Sequence, residues 1–252
     1  MFLLLPNPHA IAEYVSQRLV TLIKQKPKAV LGLATGSTME PIYDYFSNQV
    51  AQEKINVSEL TTFNLDEYLG LGPDHPQSYH FYMQQYLFNR VDFNPDNTFL
   101  PDGLCPNLAE QCTHYSALIQ QKGGVDLQLL GIGSNGHIGF NEPGTPFSSR
   151  THAVQLSEQT RIDNGRFFES MAEVPTQAIT LGLQDIQESK QILLIATGSN
   201  KAQIMADLYH SAVCESLPAS VVKQHPNAII IVDETAAALL PEKACKTPLQ
   251  AV

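Results

Sequence analysis

Apolar positions along the chain recur at two different spacings, and the two alternate. Over residues 8–24, Ile11, Val15, Leu19 and Leu22 step by four, four and three, which predicts a helix with one apolar stripe. Lys26-Pro27 ends it, because proline cannot continue a helix. Ala29–Leu33 is a short apolar run that predicts a buried strand. The polar segment Ala34-Thr35-Gly36-Ser37-Thr38 follows, and Tyr43, Phe46 and Val50 then predict a second helix. Further on, Leu60–Leu65, Val125–Ile132, Ala178–Leu183, Gln191–Ala196 and Ala228–Val232 read as strands. Residues 77–92 (rich in aromatics), 107–121 and 200–212 read as helices. The N-terminal Met1-Phe2-Leu3-Leu4-Leu5-Pro6 is apolar but very short. It has no basic leader region and no cleavage pattern, so it reads as a first strand.

Strand and helix patterns interleave from end to end. That predicts an α/β fold: a single domain over residues 1–252, with a mostly parallel, Rossmann-like sheet and helices on both faces. No internal repeat or low-complexity tract is visible. Residues 141–161 show little periodicity and are rich in Pro, Ser and Thr. A connection that long in a compact domain suggests a lid insertion, placed at about residues 143–168.

Composition narrows the functional classes. A chain of 252 residues with 43% hydrophobic and 16% charged residues can bury a sizeable core. A formal net charge of -10, with no dense run of Lys and Arg, argues against a nucleic-acid partner. No apolar run approaches the length of a membrane span, so no membrane partner is expected. Cys105, Cys112, Cys214 and Cys245 lack metal-ligand spacing and read as idle thiols of a reducing compartment, the cytoplasm, rather than a zinc site.

Four places carry candidate chemistry. Thr35-Gly36-Ser37-Thr38 follows a strand and opens a helix. Such a turn is either an ordinary capped junction or a cradle of N–H groups for a phosphate. Phe63-Asn64-Leu65-Asp66-Glu67-Tyr68 closes another strand. One of its adjacent carboxylates is a candidate base for a carbon-bound proton, and a turn or cap acid is the plainer reading. Gly131–Gly144 holds five glycines in fourteen residues, with Asn135, His137 and Glu142 among them. Glycine lets backbone approach a ligand closely, and a His flanked by acceptors is a proton shuttle near neutrality. Arg166 and Lys201 are isolated cations. Lys201 lies in a second strand–Gly–Ser–helix junction, Ala196-Thr197-Gly198-Ser199-Asn200-Lys201, able to close on the same anion. His9, His75, His80, His114, His152, His210 and His225 have no comparable setting.

These segments together resemble the glucosamine-6-phosphate deaminases, in their shorter form. The likeness runs through Ala34–Thr38, Thr62–Gly70, His75–Tyr79, Gly131–Pro143, Ser149–Phe168 and Thr197–Lys201, in order. Phe-Asn-x-Asp-Glu-Tyr and Gly-His-Ile-Gly-Phe-Asn-Glu-Pro carry most of its specificity. The resemblance implies conversion of glucosamine 6-phosphate and water to fructose 6-phosphate and ammonia, with no metal or organic cofactor. It implies that Asp66 moves the proton between carbons 2 and 1. It gives His137 the opening of the sugar ring and Glu142 the task of holding His137. Thr35, Gly36, Ser37, Thr38, Arg166 and Lys201 would hold the 6-phosphate.

Two departures stand out. Asn135 occupies a position where many members carry Asp, which withholds a negative charge from His137 and should lower its pKa. Larger members are switched by N-acetylglucosamine 6-phosphate through basic residues where this chain has His152 and Val154, and through a C-terminal extension where it stops at Val252. A monomer or small homo-oligomer without the allosteric hexamer is therefore expected. Two rival readings remain. A 6-phosphogluconolactonase would share the fold but usually lacks Phe-Asn-Glu-Pro after the His. A non-catalytic sugar-phosphate sensor should carry a DNA-binding segment, and none is seen.

Overall fold

The computed structural model describes residues 2–247. Met1, which falls in the expected first strand, and the C-terminal end at Val252 lie outside the described residues. The strand and helix order begins β1 (Phe2–Leu5), α1 (Pro8–Gln25), β2 (Val30–Leu33), α2 (Glu40–Glu53), β3 (Thr61–Asn64), β4 (Asp66–Tyr68), α3 (Tyr79–Met83), β5 (Thr98–Phe99), α4 (Leu108–Gln121) and β6 (Leu127–Leu130). It continues with β7 (His152–Gln155), α5 (Glu158–Gly165), β8 (Gln177–Thr180), α6 (Leu183–Gln187), β9 (Ile192–Ala196), α7 (Ala202–His210), β10 (Ala228–Asp233) and β11 (Cys245–Lys246).

Eight strands form one sheet in the order β11-β1-β10-β9-β6-β2-β3-β5, and every neighbouring pair in it is parallel. The α/β expectation holds. Each central strand is buried along its whole length, as parallel strands covered on both faces must be. After β2 the chain adds β3 and β5 on one side, then places β6 on the other. The reversal makes a switch point between β2 and β6, where open α/β sheets leave a crevice beyond the strand ends. The loops that leave the C-terminal ends of β2 and β6 are the two glycine-bearing segments, 34–38 and 131–144.

The second sheet departs from the sequence expectation. Ala178–Leu183 does not join the parallel sheet: β8 pairs antiparallel with β4 on one side and β7 on the other. The strand ends at Thr180 because Gly182 opens α6, with its backbone against the Ser149 and Arg150 carbonyls. Period-two patterning reports a half-buried strand but not which sheet it joins. Residues 141–161, expected to be irregular, contain β7 and the start of α5, whose N-cap Ser157 accepts from the Thr160 N–H. The expected helix over 77–92 is a short α3 followed by one π turn, Gln84–Phe88.

β3 and β4 are nearly one strand. Leu65 donates its N–H to Leu33 in the large sheet and accepts from the N–H of Leu181, the residue just after β8 of the small one. The chain crosses between sheets at that residue, and Asp66 is the next. Substituting Gly182 tests the junction that holds β8 behind Asp66. A Cβ there would lie 2.1 Å from the Ser149 carbonyl oxygen, and backbone cannot swing aside as a side chain does. Gly182→Ala should cost about 1–3 kcal/mol, read as a fall of several degrees in thermal denaturation.

Candidate functional site

A cavity of about 810 Å³ opens at the switch point. Its walls are the 34–38 loop, the β3–β4 crossing, the start of the 131–144 loop, the π turn, α5 with the residues after it, and the β9–α7 junction. Asp66, His137, Thr35, Gly36, Ser37, Thr38, Arg166 and Lys201 all line it. Asn135 and Glu142 stand behind His137.

The adjacent carboxylates Asp66 and Glu67 are separated by the pleat of β4. Glu67 is fully buried. It accepts from the backbone N–H groups of Tyr68, Tyr79 and His80 at 2.8–2.9 Å and faces the His80 ring at 2.9 Å. It is a structural anion at the start of α3, where N–H groups and the helix dipole favour it. His80, which had no distinguishing context in the sequence, is its partner. Asp66 faces the cavity and takes no hydrogen bond from any described residue. Burial, with the Glu67 charge adding to it, pushes its pKa up to about 8. The loop carrying His137 closes onto it: a Cβ on Gly139 would lie 3.4 Å from Asp66 Oδ2 and 2.8 Å from Thr180 Oγ1. Gly139 also has a positive φ of 56°, so no side chain fits there.

His137 is oriented from behind. Its Nδ1 lies 2.7 Å from Asn135 Oδ1, which also accepts from the His137 backbone N–H. Asn135 Nδ2 donates to Glu142 Oε2 at 2.7 Å. An ionised carboxylate only accepts, so the amide N–H₂ must face Glu142 and the amide oxygen must face the ring. Nδ1 therefore carries the hydrogen, and Nε2 is left with a lone pair. Glu142 itself stays 3.9 Å from Nδ1; it acts on the ring through Asn135 rather than by direct contact. Burial lowers the His137 pKa, the Glu142 charge opposes that, and Lys201 adds to it. Gly133 makes room for the ring, since a Cβ there would sit 2.1 Å from His137 Cε1.

The far end of the cavity suits an anion. Tyr43 and Tyr82 donate their hydroxyls to the Ala34 and Gly36 carbonyls at 2.6 and 2.9 Å. Those two bonds fix the peptide groups of the loop that opens α2. Thr38 Oγ1 lies 3.5 Å from Thr197 Oγ1, which joins the two strand-to-helix junctions. Lys201 donates to the Ile132 carbonyl at 2.8 Å, and burial lowers its pKa. Arg166 stacks on Phe167 with 4.6 Å to the ring centroid. His152 faces the Arg150 carbonyl at 2.8 Å, and Arg150 is engaged by Asp185 and Glu188.

With the geometry in place, similarity decides the family. Residues 8–231 match the family model described as glucosamine-6-phosphate isomerases/6-phosphogluconolactonase. The chain belongs to this family. Among its relatives, the glucosamine-6-phosphate deaminase of Oceanobacillus iheyensis is 49% identical over 230 residues, 91% of this chain and 92% of the relative. That of Rhodopirellula baltica is 46% identical over 241 residues, 96% of each. The solved structure of a monomeric glucosamine-6-phosphate deaminase superposes with a TM-score of 0.93 at 43% identity, covering 94% of this chain and 99% of that one. A 6-phosphogluconolactonase from Thermotoga maritima shares the fold, with a TM-score of 0.74 at 21% identity over 93% of this chain and 99% of that one. No described helix is long and apolar enough to cross a membrane.

Sequence reasoning missed several lining residues of this family member: Tyr68, Tyr79, Ser134, Thr160, Asp163 and Asn164. Ser157 before Glu158 was the legible signal for the helix that carries three of them.

The buried Asp66 sets a pH-dependent stability. Its folded pKa is raised, so its contribution is fully present below the unfolded carboxylate value near about 4 and is lost as pH rises through about 8. Asp66→Asn removes that loss. The melting temperature of the variant, relative to wild type, should climb between pH 5 and pH 9.

Proposed function

We propose that this protein converts glucosamine 6-phosphate and water to fructose 6-phosphate and ammonia, as a monomer. The observation that carries the proposal is one cavity lined by an unpaired carboxyl, an imidazole with its Nε2 lone pair free, and an anion cradle. These three elements match the successive steps of the sugar's chemistry. His137 Nε2 takes the proton of the anomeric hydroxyl and delivers one to the ring oxygen, which opens the pyranose to the aldehyde. The carbon 2 proton is then acidic. Asp66 removes it, giving an enolamine, and returns a proton to carbon 1. The resulting carbon 2 iminium adds water and expels ammonia, leaving the ketose. The phosphate, held by Thr35, Gly36, Ser37, Thr38, Arg166 and Lys201, supplies binding energy away from the reacting carbons and fixes their position.

The raised Asp66 pKa has a consequence for pH dependence. A base must be ionised to act, and in the free enzyme it is largely protonated at neutrality. The ammonium at carbon 2 of the bound sugar favours the carboxylate. kcat/KM should therefore rise with pH through about 8, with the corresponding limb of kcat at lower pH. Coincident limbs would contradict this.

Purified protein should release ammonia from glucosamine 6-phosphate and leave 6-phosphogluconolactone intact; the opposite pattern would overturn the reading. His137→Gln should lose about 10²–10⁴ in kcat while KM changes little. N-acetylglucosamine 6-phosphate should not activate, because His152 and Val154 stand where the larger members carry basic residues.

A further inference from the structure

Glu142 is met from two directions. On one side Asn135 links its Oε2 to the His137 ring. On the other, the hydroxyl of Thr160 donates to Oε1 at 2.5 Å, and the Ser157 backbone N–H approaches the same oxygen at 3.5 Å. Thr160 is 3% exposed and sits in the first turn of α5. Since the carboxylate can only accept, the Thr160 hydroxyl hydrogen points at Glu142, and its oxygen accepts from the Ser157 hydroxyl at 3.0 Å. A continuous set of hydrogen bonds thus runs from Ser157 and Thr160, through Glu142 and Asn135, to His137 Nδ1.

α5 carries more than this tether. Asp163, on the same helix, accepts from the Ser134 hydroxyl at 2.9 Å. Asn164 lines the cavity together with Tyr68 and Tyr79, whose hydroxyls meet at 3.3 Å. Arg166 caps the helix's C-terminal end and lines the cavity too. The helix is therefore tied at its first turn to the support of the imidazole, and its C-terminal end forms part of the cavity wall.

We propose that Thr160 is a positioning residue: it couples the seating of α5 over the cavity to the orientation of His137, through Glu142 and Asn135. This rests on the deaminase reading for its kinetic readout. With α5 seated, both Glu142 oxygens are held and the carboxylate plane is fixed. That fixes the Asn135 amide, and the amide fixes the ring tautomer and its tilt. With α5 displaced, Oε1 loses its donors and Glu142 can rotate. The charged groups facing His137 are Glu142 behind Asn135, Lys201 across the cavity and Asp163 on α5. Of these, only Glu142 contacts Thr160.

A double-mutant cycle with Thr160→Val and Glu142→Gln tests the route, because a residue acting through another loses its effect when the other is changed. In the wild-type background, Thr160→Val should lower kcat about tenfold or more, within the range set by outer-sphere partners elsewhere, with KM within about twofold. Thr160→Ser, which keeps the hydroxyl, should restore most of the rate. In the Glu142→Gln background, Thr160→Val should change kcat little. Additive losses would overturn the coupling, as would equal losses from Val and Ser. Ammonia release by the wild type reports separately on the reaction. Were it absent, the same cycle is read on the NMR titration of His137. Thr160→Val should move the His137 pKa in the wild-type background and leave it fixed in Glu142→Gln; a shift of equal size in both overturns the inference.

Discussion

An unpaired carboxyl group at the crossing of two sheets is the constraint on which the rest of this structure turns. Leu65 belongs to both sheets through its backbone, and Asp66 begins the second one. Its neighbour Glu67, on the other side of the pleat, takes the N–H groups of Tyr68, Tyr79 and His80, while the Asp66 carboxyl faces the cavity with no described donor. Burying an ionisable group without a partner is unfavourable, and the molecule accommodates it by raising the pKa. The raised pKa and the local instability here have one physical origin, the desolvated carboxyl.

The imidazole is built by the opposite strategy. Asp66 lacks hydrogen-bond donors, whereas His137 is fixed by a chain of them whose direction is dictated by a carboxylate that can only accept. Burial moves the two groups in opposite directions, Asp66 upward and His137 downward. Both are therefore predominantly neutral in the free site near pH 7. Asn135 fits this scheme. It transmits orientation from Glu142 to the ring and interposes a neutral amide between the two.

A chain with a net charge of -10 still gathers two cations at the far end of the cavity. Both are restrained, Lys201 by a carbonyl and Arg166 by a stacked ring. Bulk charge says little about such a site because its field is local.

The sequence by itself determined the alternation of strands and helices, the buried character of the central strands and the glycine-bearing turns at their ends. Those features depend on spacing within one segment, so a single chain displays them. The sequence also displayed Asp66, His137, Asn135 and Glu142 as chemistry-bearing residues. Tertiary structure decided what each one touches. Ala178–Leu183 reads as a strand of any sheet; only its pairing with β4 and β7 puts it in the small one. The stretch 141–161 looks irregular because β7 has four residues and α5 has a largely polar sequence, so neither shows a period. The separate tasks of Asp66 and Glu67, and the reach of Thr160 to the imidazole, come from contacts between segments far apart in the chain. Hydrogen-bond partners and desolvation are properties of a neighbourhood, and the neighbourhood exists only once the sheets have crossed.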